Sequence, residues 1–531
     1  MSIDRDASPS AVADAPDAVA HVRHLRWWML ALLLALAFAF LGSRGIWDPD
    51  EGRYTNVALN MLRSGNWVDP MRSDDVGHWT KPPLTYWTVA SSVATFGHTP
   101  AAARLPMALA YLACVWLAWR VARRLAPAAA PLAAIAYATM LLPFGASQLV
   151  TTDFLLAAFQ AFAMLAFVEC RFGEASRARM WSRWMWVGFA LAFLCKGPPA
   201  LLPLLAIIAF DAWVPRSQRQ PVFTFTNLLL FAAIALPWFL VVGARHSGLL
   251  AYFLGSEVYA RVATDQFSRH GSWYGWLQIY APTLIVGTMP WTPLLWRWLR
   301  REAPALRRWR DPQVRAGDAS LVLLVMWIAI PLFVFCLARS RLPLYILPLF
   351  VPLAVLVARQ HFAESARLPS AARLVAWCVF LVALKCAAAY WPTHKDAAEW
   401  ADAVRDRVPY QVSEVVFVDD MARYGLNMHL GAAIEKIGTG DPGPVRFNPE
   451  FDETLAVELA EEEPGVLWVA KSRDWPKLRE KITAAGYRAT AHGAPYQERV
   501  MFSVKARRNR LDTLSGAQRA DAKPRSKPTV T

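Results

Sequence analysis

Apolar residues occur along this chain in long blocks, parted by short polar stretches. Windows of roughly 20 apolar residues, enough to cross a bilayer as a helix, fall near 25–43, 103–122, 127–143, 152–169, 184–196, 198–213, 224–243, 276–296, 319–338, 342–358 and 373–391. This pattern predicts an all-α polytopic membrane protein with about eleven transmembrane helices. After Trp391 the period changes. Lys395 to Val408 has helical spacing, 414–418 and 465–470 are short buried-strand runs, and Trp475 to Ala485 is amphipathic again. A small C-terminal α/β domain over 393–505 follows. Residues 1–24 and the basic 506–531 tail carry no such pattern and read as disordered ends.

Arginine sets the orientation. Alternate loops hold Arg120, Arg123 and Arg124; Arg171, Arg177, Arg179 and Arg183; Arg216 and Arg219; seven arginines between Arg297 and Arg315; and Arg359, Arg367 and Arg373. The positive-inside rule puts these loops and the N-terminus in the cytoplasm. An odd span count then puts the C-terminal domain on the outer face, opposite the N-terminus. The first outer loop, 44–102, lies within a membrane domain spanning 25–392.

Composition agrees. The chain of 531 residues is 56% hydrophobic with 25 tryptophans and a mean hydropathy of +0.25, values suited to lipid solvent and interfacial aromatic belts. Its net charge of +15 is spread between spans rather than gathered on a soluble face, so no nucleic-acid partner is predicted. Six cysteines lie in or beside the spans at no metal-ligand spacing and read as small buried hydrophobes.

Candidate chemistry crowds the first outer loop: Trp47-Asp48-Pro49-Asp50-Glu51-Gly52-Arg53-Tyr54, then His78-Trp79-Thr80-Lys81-Pro82-Pro83. Capping explains part of it. Asp48 suits a helix N-cap, Pro49 the first turn, and two further acids the positive end of the helix dipole. Tyr54, Val57, Met61 and Leu62 then share a face, predicting an amphipathic helix along the membrane surface. Arg53, Tyr54 and Lys81 exceed what capping needs; a lysine before a helix that starts at proline can clamp a phosphate. Asp153, after Thr151 and Thr152, is either a first-turn acid or an ionisable group with a function at membrane depth. Glu257, Tyr259, Arg261, Asp265, Arg269 and His270 form a charged outer loop. Arg339 and Arg341 break the inside bias and, with Tyr345, point to an anion. Lys196-Gly197-Pro198-Pro199 reads as a helical hairpin with a snorkelling lysine.

Together, Pro49-Asp50-Glu51-Gly52-Arg53-Tyr54, Lys81-Pro82-Pro83-Leu84-Thr85-Tyr86-Trp87, Thr152-Asp153, Lys196-Gly197-Pro198, Pro237-Trp238 and the 342–348 run resemble the aminoarabinose transferases that modify lipid A. They also resemble the wider protein O-mannosyltransferase-like superfamily with the GT-C fold. The likeness covers roughly the first 360 residues in order. It implies inverting transfer of a sugar from a polyprenyl-phosphate carrier to a lipid A-like acceptor at the periplasmic face. Under it Asp50 is the catalytic carboxylate and Asp153 the second acid of the site. Arg53, Lys81 and Tyr345 hold phosphate, with Glu51, Tyr54, Glu257, Arg261, Arg339 and Arg341 as further substrate contacts.

Two positions depart from the family. Thr80 stands where an acid usually precedes the lysine, and Glu257 where close relatives carry histidine. Family metal binding has been linked to these positions, so no cofactor is predicted and a divalent metal stays open. The alternatives are a protein O-mannosyltransferase-like enzyme and a non-catalytic lipid-sugar flippase or transporter. The absence of an internal repeat and the outer placement of the polar groups disfavour the transporter.

Overall fold

A computed structural model describes residues 28–215, 219–260, 270–365, 368–440 and 445–507. Glu257 has its backbone described but not its side chain, and Arg261, Asp265 and Arg269 lie outside the described residues, as do both chain ends.

Among the described residues, six helices are long and apolar enough to cross a membrane: Pro100–Leu125, Thr152–Phe172, Phe225–Arg245, Ala319–Leu337, Pro343–Glu364 and Ala371–Tyr390. Each coincides with one of the hydropathy windows. Trp28–Phe38, Pro127–Thr139 and Pro198–Trp213 are apolar but shorter. Thr152–Phe172 is the most enclosed, with 89% of its apolar window buried. Its neighbours include Ala178–Lys196, where Gly188 lies so close to the Ala163 backbone that a Cβ would meet it at 2.9 Å.

One expected span is broken. The 276–296 window forms two helices, Gly275–Gly287 and Thr292–Arg301. Thr288 turns its hydroxyl back onto the Leu284 carbonyl, and Pro290 has no N–H to continue the ladder. Trp291 closes the turn by donating its amide to Thr288.

Beyond the membrane helices, a six-stranded sheet runs in the order β3-β2-β1-β4-β6-β5. The strands are β1 Glu414–Val418, β2 Ala433–Gly438, β3 Glu453–Thr454, β4 Val466–Lys471, β5 Tyr487–Ala491 and β6 Arg499–Ala506. The first four are mutually parallel, and β5 and β6 add an antiparallel edge. β1 is buried at every position, as a strand covered on both faces must be. Val415, Phe417 and Ile434 pack under Trp400 and Val404 of Ala397–Arg407. Val416, Val418 and Ile437 pack on the other face with Leu455 and Leu459 of Leu455–Glu461.

Six cysteines are free, four of them buried, in keeping with their reading as small hydrophobes.

Candidate active site

The acidic loop begins the helix Asp50–Ser64, but Asp48 does not cap it. Pro49 holds the N-cap position and no side chain caps the end. Asp48 is instead 3% exposed and accepts the Gly425 amide at 3.0 Å, reaching across to the segment after β1. This approach requires glycine on both sides. A Cβ on Gly52 would meet the Asp48 carboxylate at 1.9 Å, and one on Gly425 would meet Ala397 at 2.7 Å. Burial pushes the Asp48 carboxyl up to about 7, against the opposing pull of the Gly425 amide and Arg423.

The helix itself is more enclosed than a surface helix. Val57 and Met61 pack on Tyr86. On its other side Asn427 donates to the amide oxygens of Asn56 and Asn60 at 2.7 and 3.1 Å. Apolar spacing showed only the first of these faces, because two asparagines look like solvent positions until a partner covers them.

Glu51 is the bolt of the loop. Its carboxylate meets Arg44 at 2.5 Å, Arg104 twice at 3.0 Å, and the backbone amides of Trp47 and Val150 at 3.0 and 3.1 Å. Burial alone would raise this acid; Arg104 and Arg44 outweigh it and hold it down at about 2. The expected substrate contact at Glu51 is thus corrected. Its oxygens are occupied inside the protein, tying the acidic loop to Pro100–Leu125.

Arg341 differs from expectation in the same way. It is buried, and its guanidinium donates to the carbonyls of His270, Ser272 and Cys336 at 2.5, 2.8 and 2.9 Å. Arg339 is exposed beside it.

The other candidates meet around two cavities of about 250 Å³ each, both of which Thr80 lines. Lys81, Lys196 and Tyr345 lie in the first, whose walls are Leu156, Leu202, Phe239, Phe253, Val334 and Phe335. The Lys196 ammonium pairs with buried Asp153 and stands 4.2 Å from the centre of the Tyr345 ring. Lys196 therefore does not snorkel as an isolated lysine, the reading its Lys-Gly-Pro-Pro turn suggested. Lys81 donates to the Thr80 carbonyl at 2.8 Å, and the Thr80 hydroxyl lies 2.7 Å from His78 Nε2.

The second cavity lies towards the sheet, between Pro49, Arg53, Arg72, Thr80, Tyr424 and Lys436. Asp50 is exposed next to Pro49. Tyr54 is half-buried beside Tyr86. Burial raises its hydroxyl, Arg53 opposes this, and Asp153, Asp50 and Tyr345 are each close enough to add to the rise. One cavity thus joins cations to an apolar wall, as a lipid phosphate requires; the other is basic and faces the sheet.

Among the described residues, no three His, Cys, Asp or Glu groups converge at this place. Thr80 offers only a hydroxyl already engaged with His78. The described residues here do not form a metal centre.

Residues 80–242 match the family model described as dolichyl-phosphate-mannose-protein mannosyltransferase. The undecaprenyl phosphate-α-4-amino-4-deoxy-L-arabinose arabinosyl transferase of Erwinia tasmaniensis is 31% identical over 63% of this chain and 60% of its own length. The enzyme of that name from Pseudomonas aeruginosa is 30% identical over 63% of this chain and 59% of its own. The chain thus matches about three fifths of the length of these relatives. The crystal structure of ArnT from Cupriavidus metallidurans bound to undecaprenyl phosphate superimposes with a TM-score of 0.70 at 20% identity, over 90% of this chain and 97% of that one. This chain has the GT-C fold seen in ArnT. An oligosaccharyltransferase of Archaeoglobus fulgidus shares the GT-C architecture more distantly, with a TM-score of 0.50 over 91% of this chain and 74% of its own. The resemblance drawn from the motifs holds, and the GT-C match extends past residue 360, where the motifs stop.

Proposed function

We propose that this protein is an inverting glycosyltransferase that moves a sugar, 4-amino-4-deoxy-L-arabinose by analogy with its relatives, from undecaprenyl phosphate to a lipid A-like acceptor. The single observation that carries this is the cavity joining Lys81, Lys196 and Tyr345 to an apolar wall. A phosphate with an isoprenoid tail needs both surfaces in one place.

In this reading the donor phosphate lies between the two ammonium groups and the Tyr345 hydroxyl. As the bond from the sugar to the phosphate oxygen breaks, negative charge grows on that phosphate, and fixed cations lower the barrier. Asp50, on the side of the basic cleft, orients or deprotonates the acceptor oxygen that attacks the anomeric carbon from the opposite face. One displacement gives inversion. Asp153 holds Lys196 in place, Arg53 faces the acceptor, and Glu51 and Arg341 act as positioning residues.

We further propose eleven spans with the N-terminus inside, the sheet domain (393–505) at the periplasmic face and the enzyme in the inner membrane. The arginine-rich loops support this orientation. The relatives' names and the undecaprenyl phosphate bound to ArnT in its crystal structure support the choice of donor. Mass spectrometry of lipid A from cells lacking the gene, complemented with wild type, Asp50→Asn or Lys81→Ala, tests the reading. Loss of a sugar from lipid A with both variants is expected; near-normal modification by both overturns it. A second reading, transfer to protein, rests on the name of the family model. It would appear instead as a lost sugar on periplasmic glycoproteins.

A further inference from the structure

The sheet domain buries charge where its fold calls for apolar side chains. On β1 and β2, Val416 pairs with Glu435 and Glu414 with Ala433. Glu414 and Glu435 therefore lie on the face that carries Val416, Val418 and Ile437. β3 brings Glu453 opposite Ile437 on that face. The helix Leu455–Glu461 lays Leu455, Glu458 and Leu459 over it, all three buried.

Oxygens of Glu435, Glu453 and Glu458 lie within 4.8 Å of one another. Glu458 is 5% exposed, and its Oε2 has no hydrogen-bond partner. The nearby cations are engaged elsewhere: Arg72 on Asp452 and the Pro449 carbonyl, Lys436 on Glu450. Among the described residues no lysine, arginine or histidine forms an ion pair with these three glutamates.

Like charges at such separation cannot all remain ionised in a low-dielectric site. Something positive must compensate, and protons and a metal ion are the candidates. Oε2 of Glu458, buried and without a hydrogen-bond partner, is an open ligand position for the second. A hard cation bound by oxygens at roughly 2.0–2.6 Å accepts opposing ligand atoms up to twice that distance apart, which spans the observed separation.

We propose that Glu435, Glu453 and Glu458, with Glu414 behind them, form a binding site for one hard divalent cation of the calcium or magnesium class. It clamps β2, β3 and the helix Leu455–Glu461. The site lies on the face away from Trp400, apart from both cavities, and does not depend on the proposed reaction.

Full-length protein in neutral detergent, stripped with EDTA and then given CaCl2 or MgCl2, tests this. The expected result is one bound ion per chain and a rise in the sheet domain's melting temperature, on the order of 3–5 °C. Glu435→Gln/Glu458→Gln should fold without metal, because it removes the repulsion, yet neither bind the ion nor shift. An unchanged melting temperature in wild type overturns the proposal, as does an equal shift in the double variant. Glutamine variants more stable than wild type at saturating calcium would also overturn it, since a cluster held by shared protons would behave that way.

Discussion

Lys196 holds its ammonium 4.2 Å from the centre of the Tyr345 ring while pairing with Asp153. The pair is about nine-tenths buried, with side chains 9% and 10% exposed. The charge that faces the apolar cavity is thus fixed from behind by a carboxylate and from one side by an aromatic face. Removing one member strands the other. Lys196→Met should cost about 3–5 kcal/mol of stability, and Asp153→Asn/Lys196→Met clearly less, because breaking one partner of a buried pair costs more than removing both. Thermal unfolding of the purified variants reads the difference. Binding of undecaprenyl phosphate should be lost in both.

Asp50 and Glu51 are adjacent acids expected to fail in opposite ways. Asp50 is exposed and Glu51 is 2% exposed. Asp50→Asn should lower the transfer rate by roughly 10²–10⁴ with the melting temperature unchanged. Glu51→Gln should lose about 3–5 kcal/mol by leaving Arg104 and Arg44 buried without their carboxylate. If Asp50→Asn unfolds the protein, its role is structural. The Glu51 contribution also has a pH sign. Its folded value, about 2, lies below the ordinary 4.5, so its stabilisation is present above pH 4.5 and lost as pH falls towards 2. Acid unfolding of Glu51→Gln should lack that component.

Arg72 joins the first outer loop to the sheet by donating from Nε to Asp452 at 2.9 Å and from Nη1 to the Pro449 carbonyl at 3.1 Å. It also lines the basic cleft. Arg72→Ala should speed amide exchange around Pro449 to Asp452 and lower transfer, while the strand pairs β1–β4 keep their protection. Hydrogen exchange by mass spectrometry separates the two regions. Uniform loss of protection across the sheet would mean that Arg72 holds the domain's fold rather than its docking.

The six long apolar helices and the strands β1 and β4 were legible because hydropathy and period are local properties. The window at 276–296 failed because composition cannot show Thr288 and Pro290 ending one helix and starting another. Motif company drew attention to Asp50, Lys81, Asp153 and Tyr345. The contact between Asp153 and Lys196 was not legible, since 43 residues part its members. Arg104 left a signal that was passed over: an arginine inside an apolar window, where lipid would tolerate it only with a partner. The roles of Asp48, Asn56 and Asn60 were hidden for a different reason. Gly425 and Asn427, which they meet, lie more than 360 residues away in a domain the first-loop motifs say nothing about, although Asn56 and Asn60 also donate to the nearby Arg72 carbonyl.

That distant contact gives the last prediction. Asp48 accepts the Gly425 amide from a position 3% exposed, and burial, the largest cause, lifts its carboxyl from the ordinary 3.8 to about 7. A raised carboxyl binds its proton more tightly folded than unfolded. Its contribution to stability is therefore full below pH 3.8 and declines as pH rises towards 7, flattening beyond that. Docking of the Asp50–Ser64 helix against Gly425 should weaken over that interval, most visibly between pH 5 and 7. Asp48→Asn keeps the accepting oxygen and cannot ionise, so its melting temperature should exceed that of wild type at pH 8 and match it near pH 4.5. Asp48→Ala loses the acceptor and should be destabilised at both. A wild-type melting curve parallel to that of Asp48→Asn from pH 4.5 to 8 would show that Asp48 stays charged in the fold, with Arg423 rather than a proton neutralising it.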